Sequence, residues 1–247
     1  MDGLQGHGGS AILAPCVRRL TQTLCIQESA MIDDLRNSKN LMIYLDQLTE
    51  VKARLEYISG YSNSEKDRFI VEFHALQVRK LIELLAFSLM SIHQTKYKNF
   101  RANAGMDFKE DWNGREIINN VLKINPDMFF RPAHPGFNVE KDGAMQVNLR
   151  DKKDCYSLKR LAKLYDRCGG VLHVANPWLT STKIEAFHNE LPSIIKNLQL
   201  TLGDHIVLVN HWSNEQSTAV IFTLNGQEQK PTYYLAEAPG NFTFGNA

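Results

Sequence analysis

One segment, residues 69–93, constrains the fold of this chain more than any other. Between Leu81 and Ile92 every residue is apolar except Glu83 and two serines. A helix that is apolar on all sides has to be enclosed by other elements, and twelve residues are too few to span a bilayer, which takes about 20. We therefore expect this segment to form the central helix of a globular domain. Arg79 lies four residues before Glu83, and the spacing predicts an ion pair between them.

The composition excludes several classes of protein. Of the 247 residues, 43% are hydrophobic and 22% are charged, which is typical of a globular chain and excludes general disorder. The net charge of +1 gives no overall attraction to nucleic acid or membrane, so such a partner requires a local patch. The four cysteines form no CxxC pair, and no signal peptide is apparent. These features predict a reduced, cytoplasmic protein without a membrane partner.

A second long helix is predicted immediately before the apolar segment. Ser38 is a suitable N-cap, and Gly60 a suitable stop, for a helix over residues 38–59. Apolar residues recur within it at steps of three and four, at Leu41, Tyr44, Leu48, Val51, Leu55 and Ile58. Two long helices joined by a short turn predict an antiparallel hairpin.

The rest of the predicted helical domain, residues 27–178, follows this hairpin. Residues 94–110 are polar and predict a connection, after which Asp111 is expected to cap a shorter helix. Asp142-Gly143 is a turn signal between alternating flanks, so we expect a β-hairpin insertion near residues 137–149. Ser157 is expected to cap a further helix.

The two ends of the chain differ from this helical region. Residues 1–26 are expected to form a tail and a short helix. Residues 179–247 predict a helix followed by three antiparallel strands, at 205–212, 218–224 and 232–236. The predicted fold class is therefore α+β: a mainly α-helical bundle built on a long antiparallel hairpin, with a small C-terminal antiparallel sheet.

An arginine and a histidine in the helix predicted to begin at Ser157 are candidate catalytic residues. Arg167 is followed by five residues and then by His173. This pattern, late in a mainly helical region, resembles the motif of the HEPN family, and the order of helices over residues 28–178 is similar as well. The resemblance implies a helical bundle that acts as a metal-independent RNA endonuclease of a toxin or phage-defence system. It further implies a homodimer with a composite site, and no cofactor; we add a cognate inhibitor protein as a possible partner.

The implied chemistry suits these two side chains. RNA cleavage without a metal requires a group that removes the proton of the ribose 2′-hydroxyl and returns one to the leaving oxygen. An imidazole near neutrality does both, and a guanidinium offsets the charge of the transferring phosphate. His173 and Arg167 are the predicted catalytic residues.

The spacing of the pair poses a geometric problem. Six positions along a continuous helix place the two side chains about 120° and roughly 9 Å apart. They converge only if Gly169-Gly170 bends the helix or if two subunits meet. Arg68 and His74 have the same spacing, so the pattern also arises by chance. The alternative is that Arg167 pairs with an acid and His173 is a histidine at a helix end.

The segment before the motif is locally basic. Its predicted RNA-binding residues are Arg150, Lys152, Lys153, Lys159, Arg160 and Lys163. Such an excess of positive charge attracts phosphates, although a solvated helix face has the same composition. Two other functions remain open: a non-catalytic module that binds a protein partner through its terminal sheet, and nucleotide or nucleic-acid binding without cleavage. Cys155, Cys168 and His173 have a loose zinc-like spacing without a fourth ligand, so no metal site is predicted.

Overall fold

The structure is a computed structural model, and its helices follow the predicted order. It describes residues 10–13, 38–60, 67–139, 145–174, 178, 182–209, 216–226, 228–239 and 243–244. The helices are α1 (Lys39–Gly60), α2 (Arg68–Ile92), α3 (Gln94–Asn103), α4 (Gly114–Ile124), α5 (Leu158–Leu172) and α6 (Lys183–Leu202). The strands are β1 (Ser10–Leu13), β2 (Arg131–Pro132), β3 (Asn138–Val139), β4 (Met145–Asn148), β5 (Asp204–Val209), β6 (Gln216–Thr223), β7 (Thr232–Pro239) and β8 (Thr243–Phe244). The predicted fold class, α+β and mainly helical, is confirmed.

The helical hairpin is the centre of the molecule. α1 and α2 run antiparallel, because Arg54 hydrogen-bonds to Gln77 and the Tyr57 ring lies 5.6 Å from that of Phe73. From Leu81 to Ile92 every residue of α2 is buried or half-buried, as the sequence predicted. α1, α4, α5 and α6 enclose it and contribute to the same apolar core. The Arg79–Glu83 ion pair is also present, with Nε 3.5 Å from Oε1.

Two predictions for the region after the hairpin are wrong. Residues 94–110 are not only a connection, because α3 forms there and is anchored by the fully buried Tyr97. Asp111 does not cap the next helix. Its carboxylate instead accepts hydrogen bonds from Tyr97 at 2.8 Å and Arg101 at 2.6 Å, and Asn113 caps α4.

The C-terminal sheet contains the three predicted strands, β5, β6 and β7, in antiparallel register. β2, which the sequence did not indicate, extends it at the β5 edge, so the strand order is β2-β5-β6-β7. One face packs on the helices through Val207, Val220 and Phe222. The opposite face is buried beneath Ala133, Val147 and Leu149, which explains why β5 is buried at every position.

The predicted hairpin near residues 137–149 is present as β3 and β4, paired Asn138 to Gln146; Asp142-Gly143 lies outside the described residues. The hairpin belongs to a second sheet with the order β3-β4-β1-β8. β1 therefore corrects the prediction for residues 1–26: residues 10–13 form a strand paired with β4, and the rest of that segment lies outside the described residues. Among the described helices, none has the length and hydropathy to cross a membrane.

Polar side chains join the C-terminal sheet to the hairpin. His205 is fully buried, with Nε2 3.0 Å from the Tyr44 hydroxyl and Nδ1 3.0 Å from the carbonyl oxygen of Leu202. Burial lowers the pKa of His205 to about 4. The buried ammonium of Lys52 donates to the carbonyl oxygens of Gly226 and Glu228, both at 2.6 Å, and so fixes the β6–β7 connection on α1.

The neutral His205 makes stability depend on pH. The imidazole has a pKa of about 6.5 in the unfolded state and of about 4 in the native state. Between these two pH values the unfolded state therefore binds a proton that the native state does not bind. Stability present above about pH 6.5 should be lost progressively as the pH falls towards 4. Urea unfolding at pH 7 and pH 5 measures this. His205→Gln should reduce the difference between the two midpoints, whereas replacement of the exposed His134 by Gln should not.

Candidate nucleic-acid interface

The candidate site lies on α5, and the sequence of this helix explains where it begins and which of its faces is buried. Ser157 caps the helix, because its Oγ accepts a hydrogen bond from the backbone N–H of Arg160 at 3.3 Å. The inner face is buried and consists of Leu158, Leu161, Ala162, Leu164, Tyr165, Cys168, Gly169 and Val171. Since this apolar face occupies one side, the charged residues fall on the other. Lys159, Arg160, Lys163, Asp166 and Arg167 are all exposed there.

Two of these cations are free to bind a ligand. Lys159 and Lys163 are exposed and have no hydrogen bond or ion pair with any residue that the structure describes. Arg160 is different, because its Nη1 donates to the carbonyl oxygens of Lys153 at 3.2 Å and Cys155 at 2.8 Å. Its guanidinium also lies 5.0 Å from the centre of the Tyr156 ring. Arg160 thus holds the turn that precedes α5 in addition to any ligand contact.

The earlier part of the predicted basic segment is dispersed. Lys153 is exposed and pairs with Asp151 at 3.0 Å. Arg150 and Lys152 line a separate recess beside residues 126–132. The structure therefore brings Lys159, Lys163 and Arg167 together on one helix face, and Arg150 with Lys152 in another place.

Arg167 borders a cleft between α5 and α6. Its Nη2 lies 2.9 Å from Oε2 of Glu190, and about half of each side chain is exposed. The cleft has a volume of about 320 Å³ and is lined by Asp166, Arg167, Gly170, Val171, Lys183, Ala186 and Phe187. Arg167 therefore has an acid partner, as the structural alternative proposed, and still lies at an open surface.

His173 lies at the end of the same helix and does not line that cleft. It is the C-cap residue, exposed, with its backbone N–H donating to the carbonyl oxygen of Gly169 at 3.1 Å. α5 continues through Gly169 and Gly170 to Leu172 without a break. The glycines therefore do not interrupt the helix, and the cleft that Arg167 borders does not include His173. Arg68 and His74 have the same spacing in the sequence, but Arg68 pairs with Glu72 and His74 is buried.

A polar cluster fixes α5 against α2. The Arg79 guanidinium lies 4.0 Å from the centre of the Tyr165 ring, and Nη2 donates to the Tyr165 hydroxyl at 2.6 Å. That hydroxyl donates in turn to Glu83 Oε1 at 2.9 Å. Burial, followed by the hydrogen bond to Glu83, raises the pKa of Tyr165 to about 12. A Cβ at Gly169 would lie 2.8 Å from Arg79 Nη1, so this glycine allows the close approach.

The cysteines near the interface are not reactive groups. Burial raises the pKa of Cys168 to about 12 and also raises that of Cys155, so neither is a thiolate at neutral pH. Within the described part of the chain, no group of three or more histidine, cysteine or acidic side chains is arranged to hold a metal ion.

The sequence pattern did not indicate two residues of α6: Lys183, which lines the cleft, and Glu190, which pairs with Arg167. They lie seven residues apart on α6, so helical periodicity places them on one face. That face meets α5 only in the folded chain. The periodicity of α6 therefore places Lys183 and Glu190 on one face, but it does not show that α5 packs against that face.

Comparison of the chain with protein-family models, with curated proteins and with solved structures found no match.

The cluster around Tyr165 predicts the effect of one substitution. Tyr165→Phe removes the hydroxyl that joins Arg79 to Glu83, so it should lower the free energy of unfolding by about 1 kcal/mol or more. Urea denaturation measures the change. Tyr234→Phe is the matched control, because Tyr234 is 47% exposed, and it should change stability by less than about 0.5 kcal/mol. Equal effects of both substitutions would show that the cluster does not stabilise the docking of α5.

Proposed function

We propose that this chain binds single-stranded RNA along the outer face of α5. The observation that carries the proposal is the row formed by Lys159, Lys163 and Arg167, which are four residues apart and exposed. On an α-helix this spacing puts the three cations on one side, about 6 Å apart along the axis. A regular row of cations is complementary to a strand whose phosphates also repeat regularly.

The charge around this row is locally positive although the whole chain is nearly neutral. Lys183 extends the row at the cleft, since its Nζ lies 3.8 Å from the position of a Cβ at Gly170. The nearby acids are already paired: Asp166 with Arg115 at 3.1 Å, and Glu190 with Arg167 at 2.9 Å. The free charges of Lys159 and Lys163 therefore dominate the surface that a phosphate strand approaches.

The dimensions favour a short single strand. From Lys159 to Arg167 the row covers about 12 Å, the length of a few nucleotides, on one exposed helix face. Binding of this kind is largely electrostatic, tolerant of sequence and weakened by salt.

Charge reversal tests the proposal. The double substitution Lys159→Glu and Lys163→Glu should weaken binding of a labelled RNA oligonucleotide by at least about tenfold and lower the salt dependence of log K by about one to two. Fluorescence anisotropy over a range of KCl concentrations measures both quantities. Both side chains are exposed, so the fold should persist.

The matched control is the same charge reversal at Lys39 and Lys80, which are exposed on α1 and α2. It changes the net charge equally and should affect binding much less. Equal losses in the two double variants would contradict a site on α5, and failure of the unmodified chain to bind RNA would refute the function.

A second function is endonucleolytic cleavage of RNA by Arg167 and His173 contributed by two copies of the chain. One observation favours it: both side chains are exposed at the same end of α5, and Arg167 borders an open cleft. In a dimer joined near this end, the imidazole of one copy takes the proton of the 2′-hydroxyl while the guanidinium of the other contacts the phosphate. The HEPN resemblance implies the same arrangement and a toxin or defence role.

Single substitutions at the pair test cleavage, and His173→Ala tests it separately from binding, because Arg167 also belongs to the cation row. Arg167→Ala and His173→Ala should each reduce cleavage of a labelled RNA in the presence of a chelator by about a hundredfold or more. His173→Ala should leave RNA binding intact, because the imidazole is outside the cation row. Replacement of the exposed His134 by Ala is the control. Cleavage that persists in both variants would exclude the pair as the catalytic residues.

A further inference from the structure

A recess distinct from the α5 row lies where residues 126–132 meet residues 149–157. Its volume is about 240 Å³. The backbones on its two sides are joined, because the Arg150 N–H donates to the carbonyl oxygen of Pro132 at 2.9 Å and Ala133 pairs with Leu149. Its walls include Phe129, Arg131, Leu149, Arg150, Lys152 and Tyr156.

Arg150 lines this recess, and its guanidinium has no acidic partner among the residues that the structure describes. Its Nε is buried and has no hydrogen-bond partner, and its guanidinium makes no ion pair with the residues that the structure describes. A buried donor without an acceptor costs free energy, so such groups in native proteins call for an explanation. Because the guanidinium makes no such ion pair and Arg150 lines the recess, an oxygen acceptor on a ligand there gains a charge-assisted hydrogen bond with this side chain.

The recess has an excess of positive charge. Among the described residues, Arg131, Arg150 and Lys152 line it together with one carboxylate, that of Asp127, which lies 3.1 Å from Arg131. Burial lowers the pKa of Arg131, so an anion beside it offsets a cost of desolvation. Ser157, the N-cap of α5, is also at the recess, and the positive end of that helix adds to the attraction for an anion. The surplus of two cations matches a dianion.

The remaining walls are apolar. Phe129 and Leu149 are half-buried, and Tyr156 is 9% exposed. A ligand that fills the recess therefore combines a charged head with an apolar or aromatic body. Cys155 is also in the wall, but burial raises its pKa, so the recess binds without covalent chemistry.

We propose that this recess binds a phosphate monoester carried on a small aromatic body, that is, a mononucleotide unit. A phosphate monoester has a charge of about −1.5 to −2 at neutral pH, which equals the surplus of cations, and its oxygens suit the forked guanidinium of Arg150. The unit has two sources, a free nucleotide or the 5′-phosphorylated end of an RNA strand. Binding of the free nucleotide does not require the function proposed for α5.

Calorimetric titration with AMP and with adenosine tests the recess. AMP should bind and adenosine should bind at least about tenfold more weakly, because it lacks the dianion. Arg150→Met should weaken AMP binding by about tenfold or more, whereas Arg68→Met, at an exposed ion pair on α2, should not. The exposed Lys152→Ala gives a second variant whose folding is not at risk, with an expected loss of a few fold.

Two versions of one RNA, with a 5′-phosphate and with a 5′-hydroxyl, distinguish the sources. A preference for the 5′-phosphate that Arg150→Met abolishes identifies the strand end, and AMP binding without such a preference identifies the free nucleotide. Lys163→Glu should weaken the binding of both RNAs but not of AMP, which separates failure of the α5 site from failure of the recess. Absence of AMP binding together with absence of the 5′-phosphate preference would overturn the proposal, as would unchanged AMP affinity in both recess variants.

Discussion

The structure depends on the packing of other elements around the C-terminal half of α2. From Leu81 to Ile92 every residue of this helix is buried or half-buried, so each side of it has a packing partner. α1 covers it along its length, and α4, α5 and α6 occupy the remaining sides. Glu83, the one carboxylate in this stretch, is tolerated because Arg79 and the Tyr165 hydroxyl both contact it. The same contacts fix where α5 lies.

Burial also determines how the C-terminal sheet is attached. β5 is buried on both faces, since one side packs on the helical core and the other lies beneath β4 and the segment after β2. Polar groups in such a position need partners. His205 finds them in Tyr44 and Leu202, and Lys52 in two carbonyl oxygens of the β6–β7 connection. The sheet is therefore joined to the hairpin by one shared core and by specific hydrogen bonds.

The candidate interface follows from the docking of α5. Because its apolar face and Tyr165 are directed at α2, Lys159, Lys163 and Arg167 are left in a row on the solvent side. Arg150 and Lys152, which are close to this row in sequence, lie in a recess built by the chain around β2. A single run of basic residues is thus divided between an open row and a recess, two environments with different chemistry. The row suits an extended polyanion, and the recess suits one compact dianion.

The sequence alone determined the hairpin, α5 and the three C-terminal strands, because their apolar residues repeat with the periods of a helix or a strand and their caps are local. It did not determine α3, whose polar sequence is held by the single buried Tyr97, or β2, which is defined only by pairing with β5. The sequence indicated Arg167 and Arg150 as candidate site residues, but it did not indicate which side chains lie next to them. Glu190 beside Arg167 and Arg131 beside the same recess as Arg150 come from distant parts of the chain. Local periodicity shows which face of an element is buried, but only tertiary packing decides which distant side chain meets it.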